Sequence, residues 1–492
     1  MSLGFASADL APLLPELTVL SAALAVLAVD VVWPRRSNDV ALPLAFAAVV
    51  AAGVSSAYLW GTDVTVFDGA LAVDGLSLYF NVAVLAATAL VLLASHDYLP
   101  TLGDEAGGSA TEYAALVLFA CTGMLLMSSA RSLVTAFVAL ETAALPSYAL
   151  VAFARGRRTS VEGGVKYFVL GAVSSAVLLY GITLVYAATG SLEFEGVASA
   201  VSAGAADTGL LGVGSLFLLS GLAFKVAAVP FHAWAPDAYT GAPTPVSAFL
   251  SSASKAAGFV LLFRVVTTAF AGGGEWVYAA MVLSAVTMTY GNFAAALQSS
   301  VKRMLAYSSI AHAGYVLMAV AAYSAASPGD SALALGAGMS HLMVYVVMNT
   351  GAFLVVALVD DVWEVGYDYV DYAGVGRRAP LVGVAMAVFL FSLAGLPVGG
   401  GFVSKLVLFG GAVDGGLWWL ALLGGVNSAL SLFYYTRVVR HMWLEDGEVE
   451  SEGVPKALGA AIAVAAVLTV ALLFGFAPVV ESATSAADAL LA

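Results

Sequence analysis

The stretch GLAFKVAAVPFHAWAPDAY, residues 221–239, carries Lys225 inside an apolar run and then interrupts that run at Pro230 and Pro236. Proline has no amide donor and its ring collides with the preceding turn, so a helix reaching these positions stops or kinks. A second stretch, SLAGLPVGGGFVSKLVLFGG at 392–411, repeats the device with Pro397, Gly399 to Gly401 and Lys405. Its glycines do not make a phosphate loop, because Ser404 rather than Gly precedes Lys405 and Leu406 stands where Ser or Thr is required. What remains is a pair of broken helices, each with a lysine.

Composition places these breaks in a bilayer. The 492 residues are 61% apolar and 10% charged, with a mean hydropathy of +0.97, outside the range of soluble globular chains. At about 20 apolar residues per crossing, the sequence predicts fourteen spans, near 11–33, 40–60, 74–95, 112–129, 132–154, 162–187, 209–229, 244–269, 276–297, 305–324, 332–359, 382–411, 417–443 and 457–482. The fold class is all-α and polytopic, and no loop is long enough for a soluble domain. Irregular backbone at membrane depth is tolerated only inside protein or beside a wet cavity, so the breaks in spans seven and twelve point to an interior path.

Lys and Arg in short loops mark the cytoplasmic face. One alternate set of loops holds Arg35, Arg36, Arg155, Arg157, Arg158, Lys302, Arg303, Arg377, Arg378, Arg437, Arg440 and Lys456, and the other holds only Arg131. Both termini are therefore expected outside, in the plasma membrane of a prokaryotic cell. No Lys or Arg precedes the first apolar segment, which reads as a first transmembrane helix rather than a cleaved signal. The lone Cys121 has no disulfide partner and reads as a small packing residue. Nothing resembles a metal or redox-cofactor site. The net charge of −14 lies largely in loops, including Asp104 and Glu105, Asp360 to Asp371, and Glu445 to Glu452, a composition that points to a salt-adapted host.

The intramembrane charges carry the functional reading. Each ionised group near the bilayer centre costs about 2.5–3.5 kcal/mol, so Glu141, Lys225, Lys255 and Lys405 together cost on the order of 10 kcal/mol. Glu141 lies mid-span, five residues before Pro146, and reads as an ion-pair partner for a lysine on another helix; the alternative is a carboxylate hydrogen-bonded across a helix pair. Lys225 has His232 seven residues on, on the same face if the turn persists, and its alternative is a lysine that snorkels to the interface. Lys255 follows Ser251 and Ser252 on one helical stripe, where hydroxyls can bond the ammonium directly or order water.

His312 follows Ser308 and Ser309, and His341 precedes Tyr345 and Asn349. Each histidine alone reads equally well as a packing residue; together with the lysines they form an interior hydrophilic row. Lys166 and Arg264 lie near span ends, where a long stem carries the charge outward, and His96 and His441 read as solvated. A lysine binds its proton less tightly when buried and more tightly beside a carboxylate. Alternating strong and weak pairing along connected lysines gives directional transfer if waters or histidines bridge them.

The two broken helices lie 180 residues apart (405 − 225), as expected of inverted structural repeats. The expected layout is peripheral helices one to three in 1–110, a first five-helix repeat in 111–270, a second in 275–444, and a last helix in 455–492. Five crossings is an odd number, so the second copy enters from the opposite side.

At LETAALPSYALVAF, SVEGGVKYFVLGAVSSAVLLYGITLVYAATGSL, FKVAAVPFHAWAPDAYTGAPTPVSAFLSSASKAAGF, KRMLAYSSIAHAGYVLM and LAGLPVGGGFVSK, spread over roughly 140–410, the chain resembles the subunit N family of respiratory complex I, NADH:quinone oxidoreductase. This is an antiporter-like membrane subunit. The resemblance implies fourteen helices with two inverted five-helix repeats and a proton path across mid-membrane, linked to quinone reduction elsewhere in the complex. By it, Glu141 corresponds to the helix-five carboxylate, Lys225 to the helix-seven lysine, Lys255 to the helix-eight connecting lysine and Lys405 to the helix-twelve lysine, while His312 falls in a stretch similar to helix ten. It also implies no NADH, flavin, iron–sulfur cluster or quinone on this chain, these belonging to partner subunits. The implied partners are other membrane-arm subunits, further antiporter-like subunits among them, and the lipid bilayer, with no nucleic acid. The alternative is a subunit of a multi-subunit cation/proton antiporter or of a membrane-bound hydrogenase. A spacer holding the arm together is a third reading.

Overall fold

The computed structural model describes residues 10–270, 275–326, 330–447 and 453–491. Glu448 to Glu452 of the acidic loop lie outside the described residues. Where lipid offers no hydrogen-bond partner, a chain must satisfy its own backbone, and helices do so within one segment. The spanning helices are α1 Leu14–Val32, α2 Ser37–Tyr58, α3 Gly75–Glu105, α4 Ala110–Ser129, α5 Leu133–Val151, α6 Arg158–Thr189, α7a Thr208–Lys225 with α7b Trp234–Gly241, and α8 Thr244–Ala269. They continue with α9 Glu275–Ala296, α10 Val301–Ala325, α11 Ser331–Val362, α12a Pro380–Ala394 with α12b Gly400–Asp414, α13 Trp418–Leu444 and α14 Lys456–Phe474. Among the described residues, twelve of these are long and apolar enough to cross a membrane unaided. The broken α12 and the arginine-bearing α13 bring the crossings to the fourteen expected.

Several details differ from the sequence reading: α3 runs on to Glu105 rather than 95, and α7a stops at Lys225 rather than 229. The last predicted span, 457–482, stops at Phe474, where Gly475 ends α14 and a separate helix α15, Ala477–Leu491, begins. Between α2 and α3 the chain forms a small hairpin, β1 Val64–Val66 with β2 Leu71–Val73, in which Val64 pairs with Val73. Its turn holds Phe67, Asp68 and Gly69 at positive φ, the geometry that Asp-Gly turns favour.

The helices are not equally enclosed. The most apolar window of α8 is 100% buried and those of α10 and α11 are 94% buried, whereas the windows of α6 and α14 are 28% buried. The centre of the molecule is therefore α8, α10 and α11, and the outer helices face lipid or neighbours.

The same local devices recur in the two halves. A Cβ on Gly123 of α4 would overlap the backbone of Ala143 on α5, and one on Gly291 of α9 would overlap Ala311 on α10; such small residues let helix backbones approach closely in membranes. Ser132 caps α5 by accepting from the Thr135 amide, and Ser300 caps α10 by accepting from the Arg303 amide. Each cap also makes an isolated antiparallel bridge to the segment after the next helix, Ser132 to Glu193 and Ser300 to Asp368. A constant offset of 168 residues (300 − 132) relates Gly123, Ser132 and Ala143 to Gly291, Ser300 and Ala311. Because five crossings, α5 to α9, intervene, the two caps lie on opposite faces of the membrane.

Candidate functional site

Lys225 is the last residue of α7a, where the helix stops and the chain runs irregularly to α7b. Its side chain is buried, and its Nζ has no hydrogen-bond partner. It does not snorkel: the stem packs on α8, where a Cβ placed on Gly258 would lie 3.0 Å from Lys225 Cγ. Glycine at 258 thus opens the space the lysine occupies. Glu141 accepts a hydrogen bond from Ser175 of α6. No ion pair joins it to Lys225, so the contact observed is the alternative one, a carboxylate hydrogen-bonded across a helix pair.

Lys255 sits on α8 directly after a π-helical turn, Leu250–Ser254. Such turns widen a helix and often mark functional positions. The expected bonds to Ser251 and Ser252 do not form; those hydroxyls accept from Asn349 Nδ2 at 2.8 and 3.0 Å. The Lys255 ammonium instead donates to Ser309 on α10, to its carbonyl at 2.5 Å and to its hydroxyl.

One turn beyond Ser309 is His312. Its Nδ1 lies 3.2 Å from Nε2 of His341 on α11, and the Nδ1 of His341 lies 3.0 Å from the Ser404 hydroxyl, beside Lys405. Lys405 is in the first turns of α12b, and it points back into the break. It donates to the carbonyls of Leu393 and Ala394 at 2.7 and 3.3 Å and to Ser428 at 2.9 Å, and its Nζ stands 4.8 Å above the ring of Tyr315. The break supplies those carbonyls, since α12a ends at Ala394 with Gly395 in the left-handed region. Gly401 lies so close to the Ser392 carbonyl that a side chain there would overlap it.

Two buried hydrogen-bonded stretches, Lys255–Ser309 and His312–His341–Ser404, therefore lie end to end, with His312 one helical turn beyond Ser309 and Lys405 next to Ser404 in the chain. Their members are lysines and histidines that exchange protons and hydroxyls that both donate and accept. The three lysines turn inward, with side chains that leave at most 6% of the residue exposed.

Other expectations resolve differently. His232 is not on Lys225's helical face, because the turn does not persist through the break; its ring packs 4.7 Å from that of Tyr290. Arg264 does not carry its charge outward but folds into a buried bidentate pair with Asp74, at 2.8 Å for each bond, and also donates to the Ser128 carbonyl. Lys166 is half-exposed and bridges Glu162 and Asp237. His96 is exposed as expected, whereas His441 is buried against Tyr369 and paired with Glu445. Cys121 is buried and accepts from Thr88 at 3.6 Å.

Sequence reasoning missed Ser175, Ser404 and Ser428. Serines are common in membrane helices, and only the neighbour across the helix pair tells which of them touch a charge. Among the described residues no group of three or more His, Cys, Asp or Glu side chains is placed to hold a metal ion.

The family of NADH:quinone oxidoreductase and Mrp antiporter transmembrane subunits matches residues 130–431. The chain is similar to "NADH-quinone oxidoreductase subunit N" of Trichlorobacter lovleyi, with 41% identity over 91% of this chain and 90% of that one. It is also similar to "F(420)H(2) dehydrogenase subunit N" of Methanosarcina mazei, with 37% identity over 97% of this chain and 98% of the relative. A chain of the respiratory complex I of Thermus thermophilus solved with bound aureothin superposes with a TM-score of 0.79 at 32% identity, covering 95% of this chain and 98% of that one.

Proposed function

The chain belongs to the NADH:quinone oxidoreductase/Mrp antiporter family of membrane subunits, and from that premise we propose that it translocates protons as the subunit N type component of a quinone-reducing complex. The observation that carries this reading is the buried row from Lys255 to Lys405, in which Lys255 bonds Ser309 and His312 is linked through His341 to Ser404. Glu141 and Lys225 form the other end of the row. A shift of charge at one end changes how tightly the next lysine holds its proton, and the histidines carry the proton between α10 and α11.

The electron-transfer groups, flavin, iron–sulfur clusters and quinone, belong to partner subunits in this proposal, and so does the choice of donor. The named relatives differ in that donor, NADH in one and F420H2 in the other.

Glu141 argues for membrane-arm neighbours. It is only partly buried, and it shares a helix face with Val134, Val138 and Leu145, which are 46%, 53% and 58% exposed. Apolar residues there suit lipid, but a carboxylate does not, so a neighbouring subunit covers this face. The basic residues put the connections α1–α2, α5–α6, α9–α10 and α11–α12a on the cytoplasmic side and both termini outside. The repeats comprise 111–270 and 275–444, flanked by 1–110 and 455–492.

The test is to express Glu141→Ala and Lys225→Ala in the whole complex and to measure proton pumping and quinone reduction. The expected result is an assembled complex that pumps less and reduces quinone more slowly; normal pumping in both variants overturns the proposal. Purification with partners separates it from the antiporter reading. Quinone-reducing partners support it, and sodium-dependent exchange without a redox partner overturns it.

A further inference from the structure

At the inner end of α11 the helix opens into a second π-helical segment, Ala357–Val362, which turns Asp360 and Asp361 inward. Both residues are 5% exposed, yet their surroundings differ. Asp361 is fully engaged: it accepts from Arg157 Nη1 at 2.9 Å, from the Tyr367 hydroxyl at 2.9 Å and from the Thr244 hydroxyl at 2.5 Å. Asp360 makes no well-formed hydrogen bond on either oxygen, the Tyr372 hydroxyl being its one candidate donor. The Tyr372 hydroxyl lies beside it and has no other partner.

The charges facing Asp360 are Asp361 from its own helix, Lys302 from α10 and Asp371 from the following segment. Lys302 is 2% exposed, and its ammonium donates only to the Ala242 carbonyl at 2.8 Å. A buried carboxylate without a donor costs several kcal/mol unless its charge is compensated. Asp361 has a fixed role as a bracket for Arg157 and α8. Asp360 is the group left free to exchange a proton.

Thr244, which holds Asp361, begins a line on α8. Thr244, Ser247, Ser251 and Lys255 follow at intervals of three, four and four residues, on one helix face, all buried. Neighbours at this spacing have Cβ atoms about 5–6 Å apart, a gap that one bridging water spans. Beyond Lys255 the line ends, because residues 256–263, AAGFVLLF, carry no polar side chain before Arg264. The polar face of α8 thus leads from Lys255 toward the Asp360 end alone.

We propose that the pocket of Asp360, Asp361 and Lys302 is the proton-uptake station of this subunit, feeding Lys255 along Thr244, Ser247 and Ser251. The proposal rests on the orientation given under the proposed function, which puts this pocket on the cytoplasmic side. The Asp360 carboxylate takes one proton from the cytoplasmic water and becomes an acid. It then releases that proton into the line. Each hydroxyl oxygen and bridging water gains a proton as it gives up its own, and the Lys255 amine ends as an ammonium while Asp360 returns to carboxylate. Asp360 is an acid–base residue here, and Asp361 is a positioning residue.

The experiment uses inside-out vesicles carrying the whole complex, whose cytoplasmic face meets the medium. The rates of proton pumping and of quinone reduction are followed against medium pH for the native complex, Asp360→Asn and Asp360→Glu, with Lys255→Ala as a reference. Asp360→Asn should assemble, pump about 100-fold more slowly and lose the native dependence on medium pH; Asp360→Glu should recover both. Native pumping and pH profile in Asp360→Asn, or failure of Asp360→Glu to recover in an assembled complex, overturns the uptake station. Normal pumping in Lys255→Ala overturns the functional reading itself. Orientation is checked separately with an impermeant maleimide on Asp104→Cys in a Cys121→Ala background. Labelling only in right-side-out vesicles overturns the orientation, and with it the assignment of this pocket to uptake.

Discussion

His312 and His341 face each other across α10 and α11 with ring nitrogens 3.2 Å apart and ring planes within 5° of parallel. One nitrogen of such a pair must donate and the other accept, so the contact fixes opposite roles on the two facing nitrogens. Separate helices, 29 residues apart in sequence, contribute the two halves.

Replacing either ring interrupts the series between Lys255 and Lys405. His341→Ala is expected to leave the complex assembled and to slow proton pumping by about 100-fold or more, the range in which positioned acid–base groups act. Parallel assays of pumping and of subunit composition check this, and an unchanged pumping rate counts against the bridge.

Gly258 provides the space for the Lys225 stem, 3.0 Å from where a Cβ would lie. Gly258→Val should therefore displace the lysine and cost about 1–3 kcal/mol through overpacking. Pumping should fall as it does in Lys225→Ala, although no titratable group has been touched. Thermal unfolding of the purified complex and vesicle pumping together test this.

Asp74, which caps α3, and Arg264 form a buried pair toward the C-terminal end of α8. Asp74→Ala leaves the guanidinium uncompensated and should destabilise the chain by about 3–5 kcal/mol. Burial pushes the Asp74 carboxyl up, but the Arg264 charge, the bonds from Arg264 and those from Ser77 outweigh it and hold the group below its ordinary 3.8. A carboxyl depressed on folding stabilises above its unfolded value and loses that contribution as pH falls through the folded value. The native complex should thus lose this stability only in acid, below about pH 4, and Asp74→Asn should flatten the acid limb of the melting curve.

Asp237 presents the opposite case. It pairs with Lys166 and Arg303 at 2.7 and 2.8 Å, but all three side chains are about a third exposed or more. Water and salt screen such pairs, so Asp237→Asn should cost about 1 kcal/mol or less, and the cost should shrink in high salt. Melting curves at two ionic strengths read it.

The lysines, the glutamate and the two broken helices were legible from the sequence because a charge or a proline in an apolar run is costly wherever the chain goes. The hydroxyl partners were not. Ser309 and Ser404 look no different in sequence from Ser251 and Ser252, yet the first two meet Lys255 and His341 while the second two meet Asn349. His232 shows the limit from the other side: seven residues after Lys225 implies a shared face only while a helix continues, and the chain leaves the helix at Lys225.

The sequence by itself determined the all-α membrane class, the number of crossings, the positions of both breaks and the residues whose charge demands a partner. Apolar length and proline chemistry act locally, so no knowledge of neighbours is needed to read them. Only the tertiary structure decided that Glu141 and Lys225 do not touch, that Arg264 turns inward to Asp74, and that Asp360 is left with no well-formed hydrogen bond while Asp361 has three. Those outcomes depend on the rotation and depth of one helix against another, which close packing of many side chains sets at once.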